Sequence, residues 1–441
     1  MLLSATLFIV IATAMAVINH IYIKLPSSIG LMVGSLVASL LMMLLVVMGA
    51  NAPLEFATSL MGRIDVESLI MDGMLSFLLF AGALHVDFNA LNKQRSVIIA
   101  LASAGVIITT FLIGGIMFGA SNLFGFQLSF LHCLIFGALI SPTDPIAVIG
   151  ILKKAGVPKS LELKIAGESL FNDGTAVVLS VVLAGMLVAT SDLHGGSAAV
   201  LYTKSDGDIP GFSLGHTLFL FVGEVVGGIG LGILLGFIAY FMMKKVDDYK
   251  IEIMITLSLV MGGYLLAQYI HVSGPLAMVA AGLLIGNHGK AQGMSEDDIK
   301  YLDNFWEMLD EILNSVLFVL IGLEILVIYS QTVAGGDAGG LELNNGLLMG
   351  LIAIPVVLLS RFISISGVVH SFKPFRAFSD GAIKIMTWGG LRGGISIALC
   401  LALPDSPERH VLLIATYIVV VFSILVQGLT IGKLVEKVAR Q

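Results

Sequence analysis

Charge is what this chain of 441 residues has least of: 23 Lys and Arg with 30 Asp and Glu make up 12% of it, against 57% hydrophobic residues. With a mean hydropathy of +1.00, that excludes a soluble globular protein and leaves an all-α polytopic membrane protein. Cysteine is nearly absent too. Cys133 and Cys400 stand in apolar runs without metal-ligand spacing, so they read as two buried small side chains. The opening run LLSATLFIVIATAMAV lacks a basic n-region and a small-residue cleavage site, and reads as a retained first span rather than a signal peptide. Missing as well are a complete Gly-x-x-x-x-Gly-Lys-Ser/Thr, a His-Glu-x-x-His and a Gly-x-Gly-Asp. ATP-driven transport and an intramembrane aspartyl protease therefore find no support, and neither an enzyme nor a cofactor is expected. His85, His132, His271 and His370 have no partner on their own helices that would suggest a metal site.

What is there is a succession of apolar runs. Divided at polar or Gly/Pro breaks, they predict thirteen spans at about 2–19, 27–49, 67–87, 96–119, 128–152, 161–189, 213–243, 249–270, 272–287, 303–329, 346–369, 380–403 and 408–432. An odd number puts the termini on opposite sides, and the basic residues test it. With the C-terminus inside, 18 of the 23 Lys and Arg fall at cytoplasmic ends, three (Arg63, Lys204, Arg409) outside, and two (Arg361, Arg392) within spans. That is the positive-inside pattern, with the N-terminus outside. Residues 190–212, rich in Ser, Gly and Asp, read as a flexible outer loop, and the short C-terminal tail leaves no room for a soluble domain.

Two spans are interrupted. In ISPTDPIAV, Pro142 and Pro145 bracket Thr143 and Asp144; proline lacks the amide hydrogen and pushes the residue before it out of helix, so the fifth span should break there. In WGGLRGGIS, Gly389, Gly390, Gly393 and Gly394 flank Arg392 and weaken the twelfth span by roughly 1 kcal/mol each. Spans one to six and eight to thirteen form two halves of opposite topology, with these two as the fifth member of each. Matching breaks in inverted halves point to a transporter's midplane site.

Acids and bases inside spans cost roughly 2.5–3.5 kcal/mol each at the centre, which makes them functional candidates. Asp144 lies at the first break; GESLFNDGTAVVL in the sixth span carries Glu168, Ser169, Asn172 and Asp173; Arg392 lies at the second break. If Asp144 and Asp173 converge, their carboxylates with Thr143 and Ser169 make an all-oxygen cage for a hard cation. Empty, the same carboxylates repel and accept a proton. Glu168 is then free to pair with Arg392 as a structural ion pair. Glu224, Glu324 and Arg361 each stand alone in a span, and Glu307, Asp310 and Glu311 line a cytoplasmic funnel or face water.

PTDPIAV, GESLFNDGTAVVL and GGLRGGISIAL together resemble the monovalent cation/proton antiporters of the sodium/proton exchanger type, in the bacterial and archaeal branch with thirteen spans and no regulatory tail. The resemblance implies Asp173 as the ion-binding aspartate preceded by Asn172, Asp144 as the acid at the crossing of unwound helices, Thr143 and Ser169 as further ligands, and Glu168 with Arg392 as a stabilising pair. It implies a homodimer in the plasma membrane that exchanges Na⁺, or Li⁺ or K⁺, for H⁺. Each protomer would carry a core (about 96–189 and 346–437) moving like an elevator against a dimerisation scaffold (about 1–88 and 213–330). The Asn-Asp order resembles the electroneutral branch. Some members carry a third-span glutamate, whereas this chain reads LLFAGALHVDF and offers no such acid. A passive cation channel is the rival from another class, since broken helices and acidic rings also serve channels.

Overall fold

The computed structural model describes residues 2–25, 27–50, 52–62, 69–85, 88–126, 128–144, 148, 152, 157–190, 214–289, 295–334, 336–374, 378–379, 381–404 and 406–439. Among these residues the ordered elements are helices, because a chain this apolar must satisfy each backbone N–H and C=O within its own segment. In chain order they are α1 (Leu2–Ile18), α2 (Ser27–Val47), α3 (Ala52–Met61), α4 (Leu75–Leu84), α5 (Phe88–Ala100), α6 (Val106–Phe124), α7 (Phe130–Ile140), α8 (Lys159–Thr190) and α9 (Leu214–Met243). There follow α10 (Tyr249–Tyr269), α11 (Gly274–Leu284), α12 (Glu296–Ala334), α13 (Gly336–Phe372), α14 (Ala382–Trp388), α15 (Gly394–Leu401), α16 (Pro407–Phe422) and α17 (Leu429–Ala439). Of the five π-helical turns among the described residues, two, Leu101–Gly105 between α5 and α6 and Ser423–Gly428 between α16 and α17, join neighbouring helices into longer runs.

Seven of the described helical runs are long and apolar enough to cross a membrane by length and composition, among them Lys159–Leu187, Leu343–Phe372 and Pro407–Val438, and four shorter apolar helices accompany them. The chain is a multi-pass membrane protein. The helices differ from the apolar runs in three ways. The short α3 occupies the connection after the second run, where no element is expected. Both α12 and α13 extend past the expected 303–329 and 346–369, starting at Glu296 and Gly336. Pro145 lies outside the described residues, as do the outer loop beyond Thr190 and all but Val148 and Leu152 of the residues expected to continue the fifth span.

Both expected interruptions are present. Helix α7 ends at Ile140 and residues 141–144 are not helical; α14 ends at Trp388 and α15 starts at Gly394, with Gly389–Gly393 between them. The broken elements sit in the larger of two apolar clusters, where α7 packs on α6 and α8, α14 packs on α13, and α15 packs on α16. The smaller cluster gathers Phe80, Tyr264, Met278 and Trp306 from α4, α10, α11 and α12. Small residues let these helices approach. A Cβ at Gly137 of α7 would run into the carbonyl of Thr110 on α6, and one at Gly232 of α9 into that of Ala277 on α11.

Candidate functional site

The site begins with unsatisfied carbonyls. A helix that ends in the apolar interior leaves its last C=O groups without partners, and they must find donors elsewhere. At the end of α7 the Ser141 hydroxyl donates to Gly137 O (2.6 Å), while Ser141 O and Pro142 O both accept from Arg392 Nη1 (2.6 and 2.7 Å). At the end of α14, Arg361 Nε donates to Met386 O (3.1 Å) and Gln427 Nε2 to Trp388 O (2.9 Å). The two interruptions also bond to each other, since Asp144 N donates to Leu391 O (2.8 Å). The Arg392 amide is held by the Ser423 hydroxyl (2.8 Å), so the second crossing strand is tied to the helix behind it.

Helix α8 passes beside this crossing with Ser169, Asn172 and Asp173 turned toward it. Thr143 Oγ1 and Ser169 Oγ share a hydrogen bond of 2.8 Å; Asn172 Nδ2 donates to Thr143 Oγ1 (3.0 Å), and Thr143 N donates to Asn172 Oδ1 (3.4 Å). The Asn172 amide is thus spent on fixing Thr143, which fixes the crossing strand against α8. Asp173 is only 5% exposed, and among the described residues it makes no hydrogen bond or ion pair. The charges that act on it are those of Asp144 and Arg392. Asp144 is half-buried, and a Cβ at Gly393 would lie 3.0 Å from its Oδ2, so only glycine leaves that carboxylate its space. Asp144 and Arg392 thus act electrostatically on Asp173, while the Thr143 and Ser169 hydroxyls bond to each other beside the crossing of the two unwound segments.

The ion pair is not the expected one. Glu168 bonds to Arg361 on α13, through Nη1–Oε1 at 2.9 Å and Nη2–Oε2 at 3.3 Å, and not to Arg392. The reason is the demand of the broken span: Nη1 of Arg392 is taken by the two orphan carbonyls before Thr143, while α13 brings a second guanidinium to Glu168. Gly390 makes room for it, since a Cβ there would collide with Arg361 Nε. Arg361, which reads in the sequence as a lone charge, is a three-point clamp between α8, α13 and the end of α14. The signal for it was present only as arithmetic, two arginines in spans near one glutamate, and arithmetic does not choose between them.

The remaining polar residues divide by position. On α12, Asp310 acts electrostatically on Asp144 and carries a buried Oδ1 without a hydrogen-bond partner, so this helix turns an acid toward the crossing. Glu324, further along α12, faces the charge of Arg409. His85 has a partner on another helix, with Nε2 3.7 Å from Asp303 Oδ1. Both cysteines are buried and free. No cluster of three or more His, Cys, Asp or Glu with metal-holding geometry occurs among the described residues.

The family model described as the sodium/hydrogen exchanger, transmembrane, matches residues 6–437. The chain belongs to the sodium/hydrogen exchanger family. It is 44% identical to the Na(+)/H(+) antiporter NhaP of Pseudomonas aeruginosa over 98% of this exchanger and 95% of that protein. It is 32% identical to the Na(+)/H(+) antiporter NhaH of Halobacillus aidingensis over 94% and 92% of the two chains. Its fold matches the solved sodium proton antiporter MjNhaP1 of Methanocaldococcus jannaschii with a TM-score of 0.72 over 99% of this exchanger and 98% of that chain. At 19% identity that last similarity speaks to the fold.

Proposed function

We propose that this exchanger is a secondary active antiporter that moves a monovalent cation, Na⁺ first among them, against H⁺ at one shared site. Asp144 and Asp173 supply the charge, Thr143 and Ser169 supply neutral oxygens, and Asn172 holds Thr143 in place. The observation that carries this reading is Asp173, a buried carboxylate without a hydrogen bond or ion pair among the described residues, set where two interrupted helices cross. The relatives named as Na(+)/H(+) antiporters support the choice of ions.

The coupling follows from the cost of burying charge. An empty site holds two carboxylates close enough to repel, in surroundings that solvate them poorly, and that state is expensive to carry across the membrane. A bound cation or a bound proton relieves the repulsion. The loaded site therefore crosses and the empty one does not, which ties the inward path of one ion to the outward path of the other. In this mechanism thirteen spans in two inverted halves, N-terminus outside in the plasma membrane, form a core (about 96–189 and 346–437) that shifts against a dimerisation scaffold (about 1–88 and 213–330) in a homodimer. Asn172 beside Asp173, rather than a third acid, makes the exchange one proton for one cation.

Cation-resolved exchange in vesicles across pH tests the proposal. Full-length protein facing an inward Na⁺ gradient should move protons outward without an added ionophore. A diffusion potential without coupled proton movement would identify a passive channel, and a response to K⁺ but not Na⁺ would reassign the cargo.

A further inference from the structure

Along the last helix the exposed side chains change character from one turn to the next. Val426, in the π-helical turn before α17, and Leu429, in the first turn of α17, are apolar and 38% and 41% exposed. Lys433 and Lys437 follow Leu429 at intervals of four, so the three share one face of the helix, and both lysines are exposed. The opposite face buries Ile431 and Val435. Within about two turns the exposed face thus passes from a surface suited to hydrocarbon to one suited to anions. Helix α14 lies antiparallel beside it. Trp388 Nε1, at the end of α14, donates to Thr430 Oγ1 at the start of α17 (2.9 Å), and Gly381, before the start of α14, abuts Val438 near the end of α17, where a Cβ would collide with the valine. Lys384, also exposed, stands between those two contacts on α14, as Lys433 and Lys437 do on α17.

This helix pair therefore carries three exposed ammonium groups against a single acid, Glu436. The basic residues around the start of α10 are arranged differently, since Lys244, Lys245 and Lys250 are interleaved with Asp247 and Asp248. We propose that Lys384, Lys433 and Lys437 hold the phosphate of an anionic phospholipid whose acyl chains lie along Leu429 and Val426. The order of the face decides the occupant: a soluble anion would use only the lysines, whereas a lipid uses both parts, headgroup beyond hydrocarbon, in the sequence in which they occur. Long lysine stems carry the charge to headgroup depth while their methylenes stay on the apolar surface. The orientation proposed above makes this the cytoplasmic leaflet, but the contact itself does not rest on it. A bound headgroup would brace α14, the short helix that leads into the crossing.

Thermal unfolding of the full chain in detergent, titrated with phosphatidylglycerol or with phosphatidylcholine, tests the site. Phosphatidylglycerol should raise Tm further than phosphatidylcholine, and added salt should narrow the difference. Lys384→Gln, Lys433→Gln and Lys437→Gln should each raise the half-saturating phosphatidylglycerol concentration about fivefold, while Lys433→Arg should leave it near its original value. Lys244→Gln combined with Lys245→Gln should not change it. Glycerol phosphate, which has the headgroup chemistry without the chains, should give no shift. The proposal is overturned if the two lipids stabilise equally, if the three glutamine variants respond to phosphatidylglycerol as before, if the Lys244 and Lys245 variant loses the response instead, or if glycerol phosphate reproduces it, which would make this a site for free anions. Should one glutamine variant fail to fold, the other two decide. None of these measurements depends on which ions are exchanged.

Discussion

Glu168 and Asp173 lie five residues apart on one helix, 3% and 5% exposed, and the fold uses them in opposite ways. Glu168 receives a two-point guanidinium from Arg361, which is itself bonded to the end of a broken helix. Asp173 receives no hydrogen bond or ion pair among the described residues and faces a second acid. Burial is the same; the partner is different. A buried carboxylate with a fixed counter-ion is a structural member, whose removal strands the opposite charge. One left without such a partner, beside another acid and at a helix interruption, is available to a mobile cation or proton.

The largest effect that could break this comparison is on transport. Asp173→Asn should reduce exchange in vesicles below detection at any cation concentration while leaving expression and melting temperature unchanged, and Asp144→Asn should do the same. Near-normal exchange by either variant removes that residue from the site. Glu168→Gln, by contrast, should act mainly through stability.

Next in size is the dependence on pH. If proton and cation compete for the same carboxylates, each unit of acidification below the protonation midpoint of the site should raise KM for the cation about tenfold, because one bound proton excludes one ion. The maximal rate should hardly change, since saturating cation displaces the proton. A KM that ignores pH while the maximal rate falls would assign the pH response to a separate sensor and leave Asp173 without its proton role.

The structural member of the pair is sharpened by thermal unfolding. Glu168→Gln and Arg361→Ala should each destabilise the protein by about 3–5 kcal/mol, the cost of leaving one buried charge uncompensated. Combined, they should cost clearly less than their sum, by about 0.5–3 kcal/mol of coupling. Glu168→Gln combined with Arg392→Ala should be nearly additive, because those two side chains do not form the bond. Coupling in the second cycle and none in the first would reverse the assignment of the clamp.

The smallest expected effect is nearly zero. With one proton exchanged for one cation no net charge crosses the field, so a membrane potential verified by dye should leave the exchange rate almost unchanged. A strong dependence on voltage would give the site a second transported charge.

Much of the architecture was legible because it rests on solvation. Apolar runs in a chain with so few charges must become helices, and Pro142 and the glycines around Arg392 must interrupt them, whatever surrounds them. The grouping of Thr143, Ser169 and Asn172 was legible for a related reason: polar groups that cannot reach water are driven to meet one another, and in the structure they do. The short α3 was not legible, since ten residues between spans carry too little apolar pattern to separate a helix from a loop.

By itself the amino-acid sequence determined that this is a helical membrane protein with two interrupted spans and a small set of acids and bases that hydrocarbon would not tolerate unpaired. Which of those charges would be paired was decided only by the tertiary structure. Arg361 and Arg392 have the same chemistry, and local rules read from the chain treat them alike. The difference is in what each can reach: the orphan carbonyls of Ser141 and Pro142 lie beside Arg392, and the space left by Gly390 admits Arg361 on its way to Glu168. Pairing in a low-dielectric interior depends on direction and on distances of a few ångströms between segments far apart in the chain, and those distances exist only once the helices have packed.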